Sequence, residues 1–198
     1  MIGVICPSIF EYRALDAAAL RKKGVRLVKS GMGKLRAMGA CAELHRRHPN
    51  LRHVLLIGFA GGLTPGLKVG DVVEPRLFIE QDYCAEPFEK FPNRIRRAPF
   101  KKLLPGSTGV VMLTQDRFLT ENPYKKGSAK RANDKIACDM ESYAVAYYCR
   151  QASIPYSVVK LISDSADANA DHDFLKACRR LARRLNRTVL EAVRRLRR

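Results

Sequence analysis

The chain alternates between short apolar runs and longer stretches whose apolar residues recur every three or four positions. The runs at 2–6, 25–28, 110–113 and 157–162 predict strands, and the unbroken Val54-Leu55-Leu56-Ile57-Gly58 predicts one buried on both faces. A further strand is expected over 67–75, entered through the turn Thr64-Pro65-Gly66. Between the strands, Phe10, Ala14, Ala17, Ala18 and Leu20 predict a helix over 10–22, with Arg21, Lys22 and Lys23 at its C-terminal end and Gly24 as its stop. Ser30-Gly31-Met32-Gly33-Lys34 reads as a turn opening a helix that runs to about His48, where Pro49-Asn50 breaks it. Another helix is expected over 138–152. The last spans 174–198, where Phe174, Cys178, Leu181, Leu185, Val189, Ala192 and Leu196 form one apolar stripe and arginines take the other faces.

Strands alternating with helices predict an α/β fold: a single domain over 1–198 with a central mixed, twisted sheet flanked by helices on both faces. The polar, basic stretches 84–107, with Pro87, Pro92, Pro99 and Pro105, and 120–135 read as surface loops of the kind that border sites. Composition supports a globular chain: 46% of the 198 residues are hydrophobic, enough for a substantial core. No apolar run reaches the roughly 18 residues of a membrane span, and the N-terminus reads as a first strand and not as a signal peptide. Six scattered cysteines without C-x-x-C spacing argue against a zinc ribbon or disulfide scaffold and point to a reducing, cytoplasmic setting. His45, His48, His53 and His172 lack partners at ligand spacing, so no metal site is expected.

Charge complicates this picture. The net charge is +18, and Arg179–Arg198 alone, with nine arginines and one Glu, contributes +8 of it. Such a chain attracts polyanions without a dedicated site, so nucleic acid or an acidic membrane surface stand as partners of the basic C-terminal helix. The apolar stripe already explains that helix, however, and no aromatic side chain is interleaved among its arginines, which favours a solvated basic back.

In open α/β sheets ligands gather where strands end, and four such places carry polar chemistry. Glu11 follows the first strand beside Phe10 and Tyr12, as a helix-start acid or a proton acceptor. Gly58-Phe59-Ala60-Gly61-Gly62-Leu63 allows close approach of a ligand to the backbone, but it matches neither a P-loop nor G-x-G-x-x-G. Asp139-Met140-Glu141-Ser142 reads as a helix start whose Glu141 could accept two hydroxyls of a diol. Ser163-Asp164-Ser165-Ala166-Asp167 is a turn, or a strand-end acid able to donate a proton.

Six segments, in this order, resemble the nucleoside phosphorylase superfamily and most closely its methylthioadenosine/S-adenosylhomocysteine nucleosidase branch. They are IGVI…FEYRAL at the start, SGMGKLRA at 30–37, GFAGGLTPGLKVGDVV at 58–73, TQDRFLT at 114–120, CDMESYAVA at 138–146 and VVKLISDSAD at 158–167. The resemblance implies a sheet of about eight strands, a homodimer or larger oligomer, no cofactor, and cleavage of the bond between a purine and ribose. It implies that Glu11 activates water and that Asp164 protonates the leaving purine at N7. Glu141, with Met140 beside it, would hold the ribose 2′ and 3′ hydroxyls. Phe118 and Leu119 would stack on the base and read its edge, Lys160 would stand where this branch carries an Arg near the water, and Ser163 and Phe59 would complete the pocket.

Two departures from the family pattern matter. Leu56 and Phe59 stand where phosphorylases carry an Arg and a Ser or Thr, which favours water over phosphate as acceptor. Phosphate-dependent cleavage remains the alternative, and a basic nucleic-acid-binding module on the same fold is the alternative of another class. The stretch between Val73 and Val110 is also shorter than the family's by roughly twenty residues, a count taken from the resemblance. This predicts an open 5′ side that admits a substituent bulkier or more acidic than methylthio, of futalosine or hopanoid type.

Overall fold

A computed structural model describes residues 1–83, 93–97, 99–124 and 134–198. The parts of the two expected loops at 84–92, 98 and 125–133 lie outside the described residues.

The elements in chain order are β1 (Ile2–Cys6), α1 (Ile9–Ala14), α2 (Ala17–Lys22), β2 (Val25–Lys29), α3 (Lys34–Arg47), β3 (His53–Gly62), β4 (Val72–Glu80), β5 (Arg94–Arg96), β6 (Thr108–Thr114), β7 (Ile136–Asp139), α4 (Ser142–Gln151), β8 (Tyr156–Asp164), α5 (Ala170–Arg180) and α6 (Ala182–Leu196). The expected mixed α/β sheet is present. β1 lies parallel between β2 and β3, β3 pairs parallel with β8, and β8 meets β4 antiparallel. β4 pairs parallel with β6, β6 parallel with β7, and β7 returns antiparallel to the far end of β3. The pairings β3-β8-β4-β6-β7 thus close on themselves, while β5 adds an antiparallel edge to β4.

Strand alternation divides the core between the two faces. Leu56, Val54 and Val158 pack with Ala37, Cys41 and Leu44 of α3 and with Val145, Ala146 and Cys149 of α4. Leu55, Ile57, Val159 and Leu161 pack with Leu20 of α2 and with Cys178, Leu185, Val189 and Ala192 of α5 and α6.

Several boundaries differ from expectation for local reasons. The helix expected over 10–22 is two. Leu15 is extended, and the Asp16 carboxylate accepts from the Ala19 amide and starts a second helix. The helix expected over 174–198 begins earlier, at Ala170, and is interrupted at Leu181, yet its stripe faces the sheet throughout. The strand expected at 67–75 runs from Val72 to Glu80, because the Asp71 carboxylate caps the Lys68 amide and holds a turn before it. Residues 138–139, expected to open a helix, instead end β7, and the helix starts only at Ser142. Most consequential, Gly58–Gly62 is not a turn after a strand. It continues β3, paired with β8 and β7.

Candidate nucleoside-binding site

The glycines of β3 create room for two carboxylates. A side chain at Gly58 would come within 2.5 Å of Glu11 Oε1, so only glycine lets that carboxylate lie over the strand. A side chain at Gly61 would stand 3.0 Å from both Asp164 Oδ1 and Cys138 Sγ. The two glycines lie three steps apart along the extended strand, about 10 Å.

Glu11 is buried at the first turn of α1. Its Oε2 accepts the Ser8 amide at 2.7 Å, and the Ser8 hydroxyl accepts the Glu11 amide in return, a capping box. Its Oε1 accepts the Phe59 amide, also at 2.7 Å. Both oxygens thus face main-chain donors.

Asp164 ends β8. The register of β3 on β8 slips between Ala60 and Gly61, and this bulge re-aims the chain where Ser163 and Asp164 turn into the cavity. The Ser163 hydroxyl lies 2.5 Å from Asp164 Oδ2, and the Ala166 amide donates to Oδ1 at 2.8 Å. Ala166 delivers that amide from a positive φ of 51°, backbone strain of a kind that concentrates at functional sites. Burial pushes the Asp164 carboxyl above the usual aspartate range. Its two hydrogen bonds oppose that rise, and the negative charges of Asp173 and Asp167 add to it.

Between them lies Glu141, at the N-cap of α4. Its Oε1 accepts the Gly33 amide at 3.0 Å, and its Oε2 lies 3.1 Å from Lys160 Nζ. Lys160 is wholly buried and also reaches Asp139 Oδ2 at 3.0 Å. Burial alone would pull the ammonium down, but Asp139, Glu141 and Glu11 more than offset it, and it sits above its ordinary value. Burial lifts Glu141 to about 7 against the lowering pull of Lys160, with Asp139 and Glu11 adding to the rise.

Glu11, Glu141 and Asp164 border one open cavity. Of the residues singled out in the sequence, Glu11, Phe59, Phe118, Leu119, Met140, Glu141, Ser163 and Asp164 line it. Lys160 does not; it lies beneath, bound to Glu141 and Asp139. Phe59 turns its ring edge-on to Phe174 at 6.0 Å, and Phe174 stands edge-on to Phe118 at 5.9 Å, so three rings form one wall. Arg117 is the one cation among the lining residues, and Leu56 is wholly buried in the core.

The phosphorylase superfamily model matches residues 17–194. The chain belongs to this family. Within it, the chain falls in the branch of the 5′-methylthioadenosine/S-adenosylhomocysteine nucleosidases. It is 32% identical to the nucleosidase of that name from Buchnera aphidicola (subsp. Baizongia pistaciae) over 169 residues, 76% of this chain and 66% of that one. It is 31% identical to the Haemophilus influenzae nucleosidase over 191 residues, 88% of this chain and 82% of that one. The crystal structure of the Neisseria meningitidis nucleosidase in complex with methylthio-immucillin-A superposes with a TM-score of 0.78 over 97% of each chain, at 25% identity.

Three groups at the site were not picked out from this phosphorylase-superfamily sequence. Ser8 carried a signal, the Ser-x-x-Glu capping spacing with Glu11. Asp139 read as a first-turn helix acid, whereas it ends β7, accepts the Thr114 hydroxyl and the Ser142 amide, and grips Lys160. Phe174 read as the first residue of an apolar stripe, and its place in the aromatic wall had no sequence signal.

Proposed function

We propose that the protein is a purine nucleosidase hydrolysing the N-glycosidic bond of an adenosine-type nucleoside with a 5′ substituent. Breaking that bond leaves positive charge on the sugar and electrons on the purine. Catalysis therefore needs a base on the water side of the sugar and an acid behind the leaving base. One observation carries the reading: a single cavity has an amide-held carboxylate, Glu11, over Gly58 and a carboxyl raised by burial, Asp164, over Gly61.

In the proposed step Glu11 takes a proton from water as its oxygen bonds C1′. The C1′–N9 electron pair leaves with the purine, and Asp164 delivers its proton to N7. Free purine and a 5-substituted ribose result, and the proton gained by Glu11 returns through solvent to Asp164. Glu141, with Met140 beside it, accepts the 2′ and 3′ hydroxyls. Lys160 acts through Glu141 and Asp139, favouring the ionised form of Glu141. Phe118 and Leu119 take the purine, with Phe59 and Phe174 closing the same wall. Water as acceptor is supported by Arg117 being the one cation among the described lining residues, and by Leu56, wholly buried in the core where phosphorylases of the family carry an Arg.

On the 5′ side, Met32 lines the cavity and is more than a third exposed, an apolar contact that suits a thioether or a bulkier hydrocarbon-bearing substituent. The whole chain acts as one domain, assembled as a homodimer or larger homo-oligomer. The buried free thiols of Cys6, Cys41, Cys138, Cys149 and Cys178 fit a reducing cytoplasm.

Free-base release from methylthioadenosine, S-adenosylhomocysteine, adenosine, inosine and a futalosine-type nucleoside tests the reading. A 5′-substituted adenosine should be cleaved fastest. Preference for an unsubstituted nucleoside, or release from none, would refute it.

A further inference from the structure

The strands begin at the opposite end of the sheet, and there the chemistry inverts. A cavity is lined by Arg97, Lys101, Lys102, Leu103, Ser157, Arg195 and Arg198: five cations and no acid. Ser157 and Asp164 lie seven residues apart on β8, roughly 20 Å at ~3.3 Å per residue, so this cavity is separate from the nucleoside site.

Its cations are unequally compensated. Lys102 Nζ donates to the Ser107 carbonyl at 2.7 Å, and Arg195 Nε reaches Glu191 at 3.1 Å. Glu74, beneath the same loop, is wholly buried. Its oxygens accept the Leu103 and Leu104 amides and the Ser107 hydroxyl, and so hold the loop in place. Arg97 differs from both. Its guanidinium lies over the Phe100 ring at 5.3 Å, which fixes its plane, and its Nη1 is buried with no hydrogen-bond partner among the described residues. A buried, oriented donor without an acceptor is costly to keep. His53 bonds Ser157 Oγ, and burial together with the Arg97 charge holds its imidazole near 4 and therefore neutral. The positive charge of the recess thus comes from arginine and lysine.

We propose that this recess binds the phosphate of a phosphorylated small molecule, with Arg97 supplying the guanidinium fork and Lys101, Arg195 and Arg198 the surrounding charge. Arginine's planar fork matches phosphate oxygens two at a time. A single fork set in a recess fits one compact anion. Phe100 is already covered by Arg97 and offers no free platform for stacking the bases of a nucleic acid.

Calorimetric titration with inorganic phosphate, pyrophosphate and ATP tests this and separates a free anion from a nucleotide as the source. At least one of the three should bind. Arg97→Gln should weaken that binding at least tenfold, and Lys101→Gln on the exposed rim, which leaves the fold intact, several-fold. Arg187→Gln, on the exposed face of α6 outside the recess, should change it less than twofold. No binding of any of the three at millimolar concentration would overturn the proposal. So would equal weakening by Arg187→Gln, or tighter binding of a single-stranded oligonucleotide weakened alike by the Arg97 and Arg187 variants. The last two results would mean a diffuse polyanion field.

Discussion

Glu11 and Asp164 both line one cavity, in unlike surroundings. Glu11 is held by two main-chain amides and lies beside Lys160. Asp164 has a hydroxyl, one amide and the negative charges of Asp173 and Asp167 around it, and it sits above the usual aspartate range. Donors that point at a carboxylate favour its charge, whereas burial and like charges favour its proton. On the proposed mechanism, environment and not residue type assigns the two carboxyl groups their roles.

The comparison is broken most severely by removing either group. Glu11→Gln and Asp164→Asn should each lower kcat about 10²–10⁴-fold in free-base release, the usual worth of a positioned acid or base. Equal activity in either variant would mean that the group is not part of the chemistry. Next is Gly58→Ala, whose methyl would fall 2.5 Å from Glu11 Oε1 and displace it. About a hundredfold loss is expected from misplacement of this order, with Asp164 and the thermal midpoint little changed.

Lys160→Met sharpens the comparison from below. It strands Asp139 and Glu141 without their cation, a loss of about 3–5 kcal/mol in denaturant unfolding. Lys160 lowers the Glu141 value, which stands at about 7, so removing it must raise that value. In the intact protein kcat/KM should fall as pH drops through about 7 and Glu141 protonates. In the variant that limb should move to higher pH, chiefly through a larger KM. Ser163→Ala should have the smallest effect. The hydroxyl lowers the Asp164 value, so its loss should shift the alkaline limb upward by less than about one unit and cost only a few-fold in rate. A downward shift would contradict the role given to Ser163.

The alternation of strands and helices was legible because the core is built on it. The stripe from Phe174 to Leu196 packs on the sheet as its spacing required, and Val54–Ile57 is buried on both faces. What escaped the sequence depends on distant partners. Gly58–Gly62 looks like a loop because glycine favours turns, yet the strand needs glycine there to pass beneath Glu11 and Asp164. Residues 136–139 carry no period that separates strand from helix, and β7 exists because β6 and β3 pair with it. Lys160 looks like a polar interruption in an apolar strand. Its meaning appears only when Asp139 and Glu141, about twenty residues earlier in the chain, fold back onto it.

The central claim is that Glu11 directs water to C1′. Cleavage of methylthioadenosine in H₂¹⁸O, with and without inorganic phosphate, tests it most directly by mass spectrometry of the sugar. The account predicts free 5-methylthioribose carrying one ¹⁸O at C1, formed at the same rate with or without phosphate and lost in Glu11→Gln. A sugar 1-phosphate formed only when phosphate is present would contradict it.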